Sequence, residues 1–195
     1  MKTIIIITSI LVLLLIISQI YLAMASTETQ AFTVIKKEKD FEIRLYPPAT
    51  MATVSMKVKN YKEMSSSGFR KLASFIFGGN QEKKNIAMTT PVHLDINDTS
   101  SSMSFVMPSI YNVSNLPIPN NSDITFKTTN DEHVAAIQFG GYADDKEIKA
   151  NALKLKNLLK DNGIAYFGNF RFLGYNAPFQ FLGRKNEIIV SVLWE

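Results

Sequence analysis

The chain has 195 residues, of which 21 are Lys or Arg and 17 are Asp or Glu, and it contains no cysteine. The lack of cysteine excludes thiol nucleophiles, thiolate metal sites and iron–sulfur clusters. The formal net charge is +4, and the basic residues are dispersed and do not form a stripe. A nucleic-acid partner is therefore not expected.

The first 25 residues differ in composition from the rest of the chain. Lys2 precedes the apolar run IIIITSILVLLLIISQIYLAMA, which ends on the small-residue site Ala23-Met24-Ala25. This order is typical of a secretory signal peptide, although the run is also long enough for an uncleaved signal anchor. Either alternative predicts that residues 26–195 are secreted or lie in the endomembrane lumen. Contact with a membrane is expected only through a retained anchor.

Residues 26–195 have the size of one domain, which can bury a core without disulfides. Removal of Lys2 lowers the formal net charge to +3. Three N-glycosylation acceptors fall in polar, loop-like segments: Asn97 (NDT), Asn112 (NVS) and Asn120 (NNS). They predict a glycoprotein.

The first half of this domain is predicted to contain two strands, a helix and two further strands. FEIRLY (41–46) and ATVSMKV (52–58) alternate apolar with polar residues, as half-buried strands do. Asn60 and Glu63 form a capping box that begins a helix, and Gly78-Gly79 ends it. Residues 86–96 predict a strand that lies at a sheet edge or carries a bulge, because Pro91 has no backbone N–H. SMSFVMP, from Ser102, predicts the next strand.

The second half repeats this order. HVAAIQFGG predicts a strand, Asp144 with Glu147 forms a second capping box, and the helix KEIKANALKLKNLLKDN ends at Gly163. Strands are expected around 170–173 and 187–194. The repetition predicts an α+β domain of two strand–helix–strand–strand halves, with both helices packed on a mixed sheet.

Catalytic and metal-binding patterns are weak. The two histidines, His93 and His133, could be ligands, but a structural or solvated role is favoured because no cysteine or spaced carboxylates accompany them. The serines of MSSSG lack a Gly-x-Ser-x-Gly elbow, and helix capping explains Asp144-Asp145. No phosphate-binding loop or dinucleotide fingerprint is present. We therefore expect a protein that is not an enzyme.

The end of the first predicted helix combines apolar and basic side chains: Phe69, Phe75, Ile76 and Phe77, with Arg70 and Lys71 alongside. Phe75 and Phe77 cannot both share the buried stripe of one helix, so at least one is expected to line a surface groove. An apolar groove edged by cations suits a flat, apolar ligand that bears carboxylates.

Four sequence blocks carry a resemblance to a known family: GGN…NIAMTTPV, SFVMPSIY, VAAIQFGGYADD and GYNAPFQFLGRKNEIIVSVLW. In this order, over residues 32–194, the chain resembles the SOUL haem-binding protein family, and its plant-type members most. The resemblance implies two pseudo-symmetric strand–helix–strand–strand units in a distorted, barrel-like sheet with two helices. It also implies reversible, non-covalent binding of haem or another porphyrin in a shallow apolar groove along the first helix.

The chain departs from the family at individual positions. Some animal members are proposed to use an axial histidine where this chain has Leu45. In another member, basic residues proposed to bind the propionates align with Ser67, Phe75 and Gln180. Those roles do not transfer. The residues that we expect around the tetrapyrrole are Ser66, Arg70, Lys71, Ser74, Phe75, Phe77 and Arg184. Arg70 or Lys71 would pair with a propionate.

The sequence therefore predicts a carrier or buffer of haem or another tetrapyrrole. One alternative is a protein-interaction module that kept the fold and lost the ligand. Another is an enzyme that modifies tetrapyrroles, for example by removing the central metal.

Overall fold

A computed structural model describes residues 2–24, 27–57, 60–96, 100–177 and 180–194. The N-terminal segment forms helix α1, Lys2–Met24. Among the residues whose side chains are described, no helix is long and apolar enough to cross a membrane. Ala25 of the expected cleavage site and the acceptor Asn97 lie outside the described residues.

The described strands form two sheets. A small parallel sheet pairs β1 (Glu28–Thr29) with β5 (Thr89–Thr90). The large sheet contains β2 (Thr33–Lys37), β3 (Glu42–Tyr46), β4 (Thr50–Met56), β6 (Val92–Ile96), β7 (Ser101–Val106), β8 (Ile124–Thr128), β9 (Glu132–Phe139), β10 (Tyr166–Gly174) and β11 (Asn186–Val192). Its order is β2-β3-β9-β11-β10-β6-β7-β4-β8.

This order confirms the α+β fold with two similar halves. The halves contribute β6-β7-β4 and β10-β11-β9, and they meet where β6 pairs with β10. The first strand of each half crosses to the other half: β8 pairs with β4, and β3 pairs with β9. The large sheet differs from the expected mixed, barrel-like sheet in two details. Its described pairings are all antiparallel, and it is not closed into a barrel.

Two helical segments lie on one face of this sheet. The first consists of α2 (Tyr61–Glu63), a π-helical stretch (Met64–Gly68) and α3 (Phe69–Ile76), and the second is α4 (Asp145–Asp161). Both predicted caps are confirmed. The Asn60 side chain accepts from the Glu63 N–H at 2.8 Å, and Asp144 accepts from the Glu147 N–H at 2.9 Å.

The end of the first helix explains the Gly78-Gly79-Asn80 sequence. Gly78 adopts a φ of 96°, which favours glycine. A Cβ on Gly79 would lie 2.5 Å from the Ser74 carbonyl oxygen, so only glycine fits there. These residues turn the chain sharply back over the last helical turn.

The expectation for Pro91 is wrong, because β6 lies inside the large sheet between β10 and β7. Pro91 precedes the first residue of β6, so the missing backbone N–H falls between β5 and β6 and interrupts neither strand. Proline here marks a strand boundary.

The main core lies between the helices and the sheet. Leu72, Phe75 and Ile76 of α3 and Leu155 and Leu159 of α4 are buried there. A smaller apolar cluster lies on the opposite face and consists of Tyr46, Val134, Ala136, Leu173 and Ile189. The sheet therefore has two differently built faces, one covered by helices and one that is partly polar.

Candidate functional site: a cleft between the helices

A cleft of about 310 Å³ opens above the junction of the two halves. Its floor is formed by Val92 and Leu94 of β6, Met103 of β7 and Phe172 of β10. These residues face the helices because alternate residues of a strand share one face. Leu94 and Phe172 are directly paired between the two strands. The floor is therefore a continuous apolar surface.

The first helical segment forms one wall, with Tyr61, Ser65, Ser66 and Phe69. Gly68 lies against the sheet there, where a Cβ would come within 3.4 Å of Met103. Ser65 Oγ donates to the Lys62 carbonyl at 3.1 Å, and Ser66 Oγ donates to the Glu63 carbonyl at 3.2 Å. These hydroxyl protons are used within the helix, so the serines offer mainly acceptor oxygens.

The opposite wall carries the one cation that lines the cleft in the described part of the chain. The Arg184 guanidinium carbon lies 4.3 Å from the centroid of the Tyr142 ring. Arg184 Nη1 donates to the carbonyls of Ala177 at 2.9 Å and Gln180 at 2.6 Å. Arg184 Nε is buried and has no hydrogen-bond partner among the described residues. The cation is thus held in place and keeps a free donor.

Tyr61 connects the cleft to both helices. Its ring packs edge-on against Phe172, with centroids 5.4 Å apart. Burial raises the pKa of the Tyr61 phenol, and the nearby Arg184 charge only partly opposes this shift. The phenol therefore stays protonated at neutral pH and can donate a hydrogen bond.

Of the seven residues expected around the tetrapyrrole, Ser66 and Arg184 line this cleft. Arg70 and Ser74 are exposed and lie outside its lining. Lys71 forms an ion pair with Asp123 at 2.6 Å. The structure therefore provides Arg184 as the cation of the cleft, in place of Arg70 or Lys71.

The two phenylalanines are also placed apart from the cleft. Phe75 is only 1% exposed and packs against Phe126, with ring centroids 5.4 Å apart. Phe77 is 67% exposed and lies outside the lining of the cleft. One of the pair is thus on the surface, but not in this groove.

Sequence reasoning missed several lining residues, including Tyr61, Met103, Tyr142 and Phe172. The sequence contains two features that point to these residues. Tyr142 belongs to the block VAAIQFGGYADD, and Met103 lies on the apolar side of the alternating segment SMSFVMP. The pairing of β6 with β10, which a sequence pattern does not specify, brings these positions together.

Neither histidine lies in the cleft. His93 is buried on the opposite face, where its Nε2 lies 2.7 Å from Gln30 Oε1. Burial lowers the pKa of His93 to about 3. His133 pairs with Leu45 between β9 and β3. No group of three His, Asp or Glu side chains that could hold a metal ion occurs among the described residues.

Comparison with known proteins identifies the family. The model of the SOUL heme-binding protein family matches residues 27–191. This chain belongs to that family. Among its relatives, Heme-binding protein 2 of Mus musculus is 30% identical over 155 residues, covering 76% of each chain. Heme-binding protein 1 of Xenopus laevis is 30% identical over 166 residues, covering 80% of this SOUL chain and 86% of the relative.

Solved structures share the fold of this SOUL domain. The C-terminal domain of EcmrR superposes with a TM-score of 0.61 at 11% identity, covering 80% of this chain and 98% of that one. A hydrolase from Listeria innocua gives a TM-score of 0.55 at 8% identity, covering 82% and 94%. At such low identity, these similarities show the architecture alone.

Proposed function

We propose that this SOUL-family chain binds haem or a related tetrapyrrole, reversibly and without a covalent bond, in the cleft between its helices. The observation that carries the proposal is an apolar floor bordered by Arg184, whose buried Nε has no partner in the described chain. The curated relatives named heme-binding proteins support it. The chain would act as a carrier or buffer.

Different cleft residues would contact different parts of the tetrapyrrole. Leu94, Met103 and Phe172 would contact one face of the macrocycle, and the burial of apolar surface would supply most of the affinity. Arg184 would pair with a propionate. The cleft volume of about 310 Å³ lies at the lower end for small-molecule sites. The macrocycle would therefore be only partly enclosed, which favours reversible binding.

The iron of a bound haem would meet no histidine in this cleft. Tyr61 would be kept protonated by burial and is better suited to donate a hydrogen bond than to bind iron as a phenolate. No Asp, Glu or His lines the cleft in the described chain, so no acid–base pair flanks the ligand. We therefore propose a binding protein and not an enzyme.

The same proposal includes a secreted or endomembrane location. The sequence of residues 1–25 supports it, as do the acceptors Asn112 and Asn120, whose side chains lie on exposed loops. Mass spectrometry of the chain purified from a secretory host would test both points. We expect an N-terminus near Ser26 and glycan mass at Asn112 and Asn120.

Haemin titration of the chain from that host, followed by the Soret band, tests the binding site. The wild type should saturate near one haem per chain. Arg184→Gln should weaken binding about tenfold, because a charge-assisted hydrogen bond is lost. Arg70→Gln removes an exposed arginine outside the cleft and is the matched control, with unchanged affinity expected.

A second variant separates ligand binding from folding. Ser66→Trp places a large ring at the wall of the cleft from an exposed helix position, so binding should fall while unfolding by urea stays near wild type. Equal affinity in all three variants would exclude this cleft. A titration without saturation would reject tetrapyrrole binding and favour the protein-interaction alternative. Loss of the central metal over hours would instead indicate an enzyme.

A further inference from the structure

A second pocket, of about 160 Å³, lies on the sheet face opposite the helices. Strands from both ends of the large sheet contribute to it, including β3 through Tyr46 and β8 through Lys127. His93 and Asp95 face it because they alternate along β6 with the apolar floor residues of the cleft. The sheet itself therefore separates the two sites.

Two cations, Arg171 and Lys127, line this pocket together with several hydroxyl side chains, including Ser102 and Ser104. The Ser104 hydroxyl already has a partner in Thr53 Oγ1, at 2.8 Å. Arg171 Nη2 donates to Glu132 Oε1 at 2.6 Å, which leaves other guanidinium donors for a ligand. Lys127 is exposed and forms no ion pair with the described residues. It marks the entrance to the pocket.

The carboxylates of the lining already have partners. Both oxygens of Asp95 accept from Asn169 Nδ2, at 3.1 and 3.2 Å. Glu132 accepts from Arg171 and also from Ser191 Oγ. Glu132 is thus paired with a cation, whereas Asp95 is held by a neutral amide and keeps its charge. The ammonium group of Lys127 remains available.

Tyr46 gives an independent indication of a ligand. Its side chain is only 4% exposed and lines the pocket. The hydroxyl is buried and makes no hydrogen bond of ordinary geometry with any described residue. Burial raises the pKa of its phenol, and the nearby side chains of Arg44 and Tyr175 partly oppose this shift. Buried hydroxyls are normally paired, so this donor is available to a group that enters the pocket.

The two cations of the pocket also act on His93. Burial, followed by the charges of Arg171 and Lys127, lowers the pKa of His93 to about 3. The imidazole is therefore neutral at physiological pH and adds no charge of its own. Among the charged groups that line the pocket, Lys127 is the cation without an ion-pair partner in the described chain, so it is the group that would attract a small anion.

We propose that this pocket is a second ligand site, which takes a small oxyanion, a carboxylate or a phosphate, between Lys127, Arg171 and the Tyr46 hydroxyl. The site is distinct from the tetrapyrrole cleft because the two open on opposite faces of the sheet. It has about half the volume of the cleft and accommodates a group the size of acetate or inorganic phosphate, not a macrocycle.

The histidines provide a direct test, because the chain has only two. Imidazole NMR spectra would be recorded while sodium phosphate, or sodium acetate in a parallel series, replaces sodium chloride at constant ionic strength and pH. A saturable shift of the His93 signal is expected, with the His133 signal unchanged. Saturation by phosphate alone or by acetate alone would identify the preferred oxyanion.

Variants locate the binding. Lys127→Gln should raise the apparent Kd at least fivefold, and Lys154→Gln, an exposed lysine on α4, should leave it unchanged. Tyr46→Phe should also weaken binding and should not reduce stability, since it removes an unpaired hydroxyl. Linear shifts with both anions would overturn the proposal, as would saturation that persists unchanged in Lys127→Gln and Tyr46→Phe.

Discussion

The backbone N–H of Tyr61 donates a 2.7 Å hydrogen bond to Asp145 Oδ1, across 84 positions of sequence. The bond joins the first turn of α2 to the first residue of α4, where the two halves of the domain meet. It satisfies one of the free N–H groups at the start of a helix with a side chain from the other half. A side chain of α4 thus caps α2 beside the tetrapyrrole cleft.

Removal of this contact should destabilise the domain. Asp145→Ala leaves the half-buried Tyr61 N–H without its acceptor and should lower the free energy of unfolding by about 1–2 kcal/mol. Asp145→Asn keeps an acceptor oxygen and should cost less. Urea unfolding measures both, and Glu147→Ala, which also removes a first-turn acid, is the control. Equal losses in Asp145→Ala and Glu147→Ala would assign the effect to the helix dipole alone.

A buried ion pair lies on the sheet face opposite the helices. Arg44 donates from Nη1 and Nη2 to the two oxygens of Glu187, at 2.8 and 3.1 Å, and Tyr175 donates to Glu187 at 2.7 Å. Burial raises the pKa of the Glu187 carboxyl, but the hydrogen bonds and charge of Arg44, together with Tyr175 and Lys185, outweigh it and the net shift is downward. The carboxylate is therefore charged in the folded protein.

Glu187→Gln should lower the free energy of unfolding by about 3 kcal/mol, because the buried Arg44 loses its bidentate partner and keeps only the ion pair with the half-buried Glu42, at 2.8 Å. The double variant Arg44→Met with Glu187→Leu should lose much less than the sum of the two single changes. A urea-unfolding cycle measures the coupling. Additive losses would mean that the two side chains act independently.

The sequence predicted the parts of this fold that local chemistry determines. Asn60 and Asp144 cap their helices through side chains three residues from the bonded N–H groups, and each helix stops at glycine. The exchange of β3 and β8 between the halves could not be predicted, because it depends on pairing between distant strands. The sequence also predicted the wrong position for the strand that follows Pro91, because its central place in the sheet depends on the same distant pairings.

The site was predicted only in part because the phase of the first helix changes along its length. A π turn holds more residues than an α turn and rotates the following face by roughly 100° per added residue. The stretch Met64–Gly68 therefore breaks the regular spacing between Ser66 and Arg70, which the sequence placed on one groove. Ser66 lines the cleft with Phe69 and Arg70 lies outside it, while Phe75 of α3 packs in the core.

His93 should make stability depend on pH. Its folded pKa of about 3 lies below the ordinary value of 6.5, so the unfolded chain binds the proton first. Stability from this group is complete above about pH 6.5 and is lost as pH falls toward 3, with a slope of at most about 1.4 kcal/mol per pH unit.

His93→Gln should flatten this slope, measured as the difference from wild type in urea unfolding between pH 7 and pH 4. His133→Gln, on the helix-covered face of the sheet, is the matched control and should follow the wild-type curve. Parallel curves for wild type and His93→Gln would show that His93 is protonated equally in both states. Asp95, Glu132, Lys127 and Arg171, which share its pocket, stay the same in each comparison.

Replacement of Asn80 by aspartate, which has nearly the same shape, should destabilise the protein. It is 1% exposed, its Nδ2 donates to the carbonyls of Phe75 at 3.0 Å and Lys84 at 2.7 Å, and its Oδ1 accepts from the Lys84 N–H at 3.0 Å. Asn80→Asp replaces both donations with contacts between a carboxylate and two carbonyls. The free energy of unfolding should fall by about 3–4 kcal/mol at pH 7.

The loss should shrink at low pH, because the introduced carboxyl regains one donor when it is protonated and burial favours this neutral form. Asn115→Asp is the matched control. Asn115 also donates from Nδ2 to a carbonyl, at 3.2 Å to Ile110, and accepts a backbone N–H, at 2.7 Å from Asn112, but it is exposed. Water can solvate the new charge there, so the change should stay within about 0.5 kcal/mol. Similar losses at both positions would mean that burial of Asn80 does not set the cost.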